Sequence, residues 1–203
     1  MGQAMGEQRK PVDPEAVERA FAAVIEALGL DAATEPELAR TPARVADLYR
    51  EIFSGLDPAQ APELAIMPRG PERSGEDLVV VRDLPFYSLC VHHFVPFFGR
   101  AHVAYLPGRT LVGISGPARL LEHYARRPQL QERIASQLAD HLERALEPRG
   151  VAVMLEARHL CMEMRGIRAP GLVETRVLRG ELAGPRGMAL FPASSGSQDS
   201  HGT

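Results

Sequence analysis

The side chains in this chain best suited to holding a transition metal come in two adjacent groups. The segment Ser88-Leu89-Cys90-Val91-His92-His93 carries one of the two cysteines and two of the seven histidines, and the second cysteine, Cys161, follows His159 by two residues. Thiolate and imidazole are the ligands of zinc, which takes four protein ligands in structural sites but only three in catalytic ones, where a position stays open for water. With two cysteines in the whole chain, a four-cysteine structural site is impossible. In a flat strand, residues i and i+2 share a face, which would pair Cys90 with His92. A turn or bulge instead brings i and i+3 together and pairs Cys90 with His93. The Cys-x-x-His pairing is the favoured one, with Cys161 completing a three-ligand set. His92 and His159 are then left nearby as acid and base groups in the accessible pH range. Taken singly, a buried cysteine is commonly just a small core residue; two cysteines each beside a histidine weaken that plain account.

The rest of the chain must bring these groups together. Its 203 residues are 45% hydrophobic, enough for one domain with a real core. A net charge of −3 argues against nucleic acid or anionic membrane as a partner, since both demand a cationic excess. Lys10 is the only lysine, so nearly all positive charge is arginine, whose planar fork suits carboxylates and phosphates. No apolar run approaches the ~18 residues of a membrane span, and the N-terminus lacks the apolar core of a signal peptide, so a cytoplasmic protein with free thiols is expected.

Periodicity divides the chain into an α+β order of elements. Residues 1–12 read as a flexible N-terminus and 13–57 as a helical segment. Within it Val17, Phe21, Ile25 and Leu28 follow Asp13 as cap and Pro14 as first helical residue, and a second helix starts with Thr41 as cap and Pro42. Pro58, Pro62, Pro68 and Pro71 mark residues 58–75 as an irregular linker. Strand character follows in DLVVVRDL, FYSLC, FFGRAHVAYLP and TLVGI. Two consecutive helices come next, split at Pro128, the second carrying Leu130, Ile134, Leu138, Leu142 and Leu146 in steps of four. GVAVMLEARHLCMEM and LVETRVLRGEL return to strands, and residues 184–203 have the composition of a disordered tail.

With these residues in view, the chain resembles GTP cyclohydrolase I, a zinc enzyme that opens the imidazole ring of GTP and rebuilds it as a pterin. The likeness runs from about Pro14 to Gly180 through TPARVADLYREIFSGL, CVHHFVPFFGRAHVAYLP, YARRPQLQERIASQLADHL and GVAVMLEARHLCMEMRGI, in the family's order. It implies a tunnelling fold over 76–183, an antiparallel sheet with two consecutive helices on one face, preceded by N-terminal helices. It implies a homo-oligomer, a decamer, with active sites at subunit interfaces. Cys90, His93 and Cys161 match the zinc ligands, and His92 and His159 match the histidines that move protons during ring opening and loss of formate. Gln131 and Glu132 match residues that hold the guanine; a carboxylate can accept from its ring N–H and amino group, which adenine cannot reproduce. Arg44, Arg119 and Arg165 match arginines that grip the triphosphate, with Ser115 beside them. The implied product is 7,8-dihydroneopterin triphosphate.

Three positions depart from that pattern. Val91 stands where the family usually has a glutamate, removing a carboxylate beside the metal. Gly116 stands in place of a lysine that supports the triphosphate. PGLVETRVLRGEL replaces a Ser- and Thr-rich strand. These departures cluster on the purine and phosphate surroundings, whereas all the ligand and proton-moving positions match. The alternative readings are therefore a divergent paralogue, taking another purine nucleotide or stopping at a ring-opened intermediate, and a non-catalytic zinc-binding assembly.

Overall fold

The computed structural model describes residues 10–70 and 77–191. In chain order the elements are α1 (Pro14–Ala27), α2 (Thr41–Ile52), β1 (Ile66–Pro68), β2 (Val79–Cys90), β3 (Pro96–Leu106), β4 (Thr110–Val112), α3 (Gly116–Ala125), β5 (Pro128–Gln129), α4 (Gln131–Leu146), β6 (Gly150–His159), α5 (Leu160–Glu163), β7 (Leu172–Gly180) and α6 (Pro185–Leu190). The architecture is mixed α+β. Asp13 caps α1 by accepting the Ala16 N–H at 3.0 Å, with Pro14 at the first position. Thr41 does not cap α2. A 3₁₀ turn, Pro36–Arg40, runs directly into that helix, which leaves Thr41 inside its first turn with its hydroxyl on the Glu37 carbonyl at 3.5 Å.

The segments DLVVVRDL and FYSLC, expected as separate strands, form the single strand β2. A bulge between Val81 and Leu84 absorbs the break: Asp83 takes φ 57°, and its N–H donates to His102 Nδ1 at 3.3 Å. The main sheet has the order β5-β2-β3-β6-β7, antiparallel except for the short parallel pair β2–β5. Within the stretch expected to be an irregular linker, β1 pairs with β4 in a separate two-stranded sheet.

One face of the main sheet carries α3 and α4. Their apolar stripes, including Leu120, Leu121, Ile134, Leu138 and Leu142, bury completely against Ala101, Val103, Val151, Val153 and Leu155. At ~25 cal/mol per Å² of apolar surface, this burial fixes how the strands sit beneath the helices. The other face packs Ala104, Leu106, Ala152 and Met154 against Leu182 and Phe191. The chain after Gly184, expected to be disordered, is thus ordered as far as Phe191. That ring is 1% exposed, and Arg82 and Arg176 donate to the carbonyls of Leu190 and Met188. Residues 192–203 lie outside the described residues, as do most of the expected flexible N-terminus and part of the linker.

Candidate metal centre

The centre forms at one end of the sheet, where β2 and β6 finish on either side of the start of β3. β2 stops at Cys90 and the chain reverses into β3 through residues 91–95. In this turn Phe94 N–H donates to the Cys90 carbonyl at 2.8 Å and Cys90 N–H to the Val95 carbonyl at 3.0 Å. Phe94 sits in the left-handed region at φ 53°, a conformation that costs a non-glycine residue roughly 1–2 kcal/mol. Its ring meets Phe53 edge to face at 5.8 Å, and Phe53 in turn meets Tyr49 of α2 at 5.0 Å. The turn is therefore propped by the N-terminal helices. Two strands away from β2, β6 ends at His159, and the single turn of α5 carries Cys161 back toward Cys90.

The ligand atoms of Cys90, His93 and Cys161 all lie within 4.8 Å of one another. Cys90 Sγ is 4.0 Å from His93 Nδ1 and 3.8 Å from His92 Nδ1. Tetrahedral zinc, with Zn–S near 2.3 Å and Zn–N near 2.0 Å, separates its ligand atoms by about 3.5–3.8 Å. The set of two sulfurs and one imidazole thus fits a zinc ion in chemistry, and its spacing is somewhat wider than that around a bound ion. Both cysteines are free thiols. Burial pushes the Cys161 thiol above its usual range, and the adjacent Cys90 thiol pushes the same way, while the Arg165 charge opposes both. Crowded thiols of this kind are what a bound cation stabilises as thiolates.

His159 is held more firmly than either ring in the turn. It stacks on Phe97, ring centroids 4.7 Å apart and planes 5° from parallel, because Phe97 and His159 are register partners in β3 and β6. Its Nε2 is 2.8 Å from Gln131 Oε1. Burial lowers its pKa, against the opposing charges of Glu132 and Glu163. Glu163 is itself paired with Arg158 through two hydrogen bonds. His92 and Glu132 are exposed.

Of the remaining expected contacts, Gln131 and Arg165 lie at this centre, and the others lie elsewhere. Ser115 and Arg119 both line a cleft of about 570 Å³ between β2 and α3, together with Glu122, Arg126 and the apolar side chains of Leu84, Phe86 and Leu89. Arg44, on α2, and Arg165, after α5, are exposed and do not line this cleft. Gln131 is 1% exposed, and its amide is committed to protein partners. Neither Phe97 nor Phe53 was expected at the site; the period-two pattern of β3 was the only signal for the first, and the helical apolar stripe of Val45, Leu48, Ile52 and Phe53 marked the second only as a packing residue.

The family model for GTP cyclohydrolase I matches residues 17–187. A GTP cyclohydrolase 1 of Halalkalibacterium halodurans is 48% identical over 174 residues, covering 85% of this chain and 90% of the relative. The same enzyme of Clostridioides difficile is 48% identical over 161 residues, covering 79% and 83%. That of Streptococcus thermophilus is 51% identical over 158 residues, covering 77% and 82%.

Proposed function

Because the chain belongs to the GTP cyclohydrolase I family, we propose that it opens the imidazole ring of GTP at C8, releases formate and forms 7,8-dihydroneopterin triphosphate. The observation that carries this reading is the convergence of Cys90, His93 and Cys161 beside a fixed His159. Cys90, His93 and Cys161 would hold a zinc ion, which when bound supplies Lewis acidity strong enough to ionise water near neutral pH. His159, anchored on Phe97 and Gln131, is placed to move a proton at the imidazole portion of the base, and the exposed His92 to move a second. Glu132, at the start of α4 and close enough for its charge to oppose the burial that lowers the His159 pKa, is the carboxylate for the guanine N1–H and 2-amino groups. Ser115 and Arg119 serve the phosphates, joined by Arg44 and Arg165.

The scatter of those arginines supports a site shared between copies in a homo-oligomer, a decamer of the tunnelling-fold kind. β2 before Leu89 and the outer side of β7 are open sheet edges among the described residues, and α1 leaves Val24 and Leu28 exposed. No helix among the described residues is long and apolar enough to cross a membrane, and the cytoplasm is the proposed location. Light scattering should give an oligomer; a monomer rules out the shared site. The chemical test is zinc-loaded protein incubated with GTP, GDP, GMP and guanosine, products resolved by mass. Formate and a pterin triphosphate from GTP are expected, and the absence of both overturns the proposal.

One observation favours a second reading, a purine substrate with fewer phosphates. A Cβ at residue 116 would lie 2.5 Å from Val112 Cγ2 and 3.2 Å from Leu64 Cδ2, so the position is packed shut and no side chain extends from it toward a phosphate. Preferential turnover of GDP or GMP in the same panel selects that reading.

A further inference from the structure

We infer that Gln131 is a positioning residue that fixes the orientation and tautomer of His159, and that it does not read the guanine. This rests on the proposed reaction only for its kinetic consequences. Gln131 is the first residue of α4, 1% exposed, and its amide nitrogen donates to two main-chain carbonyls, Leu155 of β6 at 3.0 Å and Val173 of β7 at 2.8 Å. A primary amide has two N–H donors, and both are used. The reversed amide would set its oxygen against two carbonyl oxygens, so the hydrogen-bond network decides the assignment. Oε1 is then the atom 2.8 Å from His159 Nε2, and as it can only accept, the ring must carry its proton on Nε2.

The consequence is a ring held by two groups, one of them itself fixed by the sheet. Phe97 fixes its plane, Gln131 fixes its rotation about that plane, and the β6–β7 pairing fixes Gln131. Nδ1 is left as the nitrogen with a free lone pair, so proton exchange with substrate runs through that atom. Both amide donors of Gln131 and one lone pair of its oxygen are taken within the protein, and at 1% exposure the side chain is not presented to a base. Glu132, one residue on and exposed, is left as the side chain of that pair free to meet guanine.

The test compares zinc-loaded wild type, Gln131→Leu, His159→Ala and the double variant. Gln131→Leu should lower kcat for formate release by about 10–100-fold, the usual effect of removing a partner that orients a working group. KM for GTP and the ratio of turnover of GTP to its analogue lacking the 2-amino group should stay unchanged. In the His159→Ala background the same substitution should add little, because its effect passes through the missing ring. A raised KM or an altered base preference would instead place Gln131 on the guanine, and additive losses would make it merely structural; either overturns the proposal. A substrate-free measurement separates this from failure of the proposed reaction. The ¹⁵N shifts of the His159 ring should report a single Nε2–H tautomer in the wild type and a mixture of both tautomers in Gln131→Leu. An Nδ1–H ring in the wild type, or no change on substitution, overturns the assignment even if the protein turns over no GTP.

Discussion

At the residue scale, the candidate metal centre depends on three side chains that no single element supplies. Replacing Cys161 by Ser should weaken zinc binding by more than the ~10–100-fold that follows loss of an outer partner, as read by chelator competition on the holoprotein. Retention of tight zinc would show that Cys161 is not a ligand. Gly116 makes a different prediction. Its missing side chain is matched by Val112, a β-branched residue with little rotamer freedom, 2.5 Å from where a Cβ would stand. Gly116→Lys should therefore destabilise the protein by about 1–3 kcal/mol through overpacking, seen as a lower Tm. If the variant melts like wild type, the pocket yields more readily than its packing implies.

At the element scale, the position of His159 depends on how closely β6 lies against β3. Gly99 permits that approach: a Cβ there would fall 1.8 Å from the Glu156 carbonyl oxygen and 2.7 Å from Ala157 Cα, both backbone atoms. The Phe97–His159 pair lies two residues further along the same ladder. Gly99→Ala should cost at least about 1–3 kcal/mol and lower turnover as well, because β6 must move away and take the stacked imidazole with it. Denaturant midpoints and formate release measured together check this, and a stable, fully active variant contradicts it. The bulge in β2 is an equally local device, held by a histidine from the neighbouring strand. Neither close approach nor bulge follows from hydrophobic periodicity, which reports faces and not distances.

At the scale of the whole molecule, one buried and one half-buried histidine give stability an acid limb. Burial lowers the pKa of His102, with Asp83 and Glu156 opposing and Arg82 and Arg100 reinforcing the shift; burial also lowers that of His141, with Arg144 reinforcing. Both are neutral in folded and unfolded chains above about pH 6.5, so neither affects stability there. As pH falls below that value the unfolded chain binds protons first. Stability then declines until the lowered folded pKa values are passed. Thermal midpoints measured from pH 8 to pH 5 should fall on the acid side, and His102→Gln, whose amide oxygen can still accept the Asp83 N–H, should fall less steeply. Equal slopes would remove His102 from this account.

Much of this protein was legible in its sequence. The helix α1 with its Asp13 cap, the paired helices split at Pro128, and the final strand follow from periodicity and turn chemistry, which act over a few residues. The adjacency of cysteine and histidine in both motifs was enough to name a three-ligand set, because ligand chemistry is a property of residue type. Other features needed the tertiary structure. Whether Cys90 meets His93 with Cys161, the joining of two apparent strands into β2, the burial of Phe191 and the commitment of Gln131 to His159 all depend on atoms from segments far apart in sequence. Local patterns set which face a residue presents; only the assembled sheet and helices set what stands opposite it.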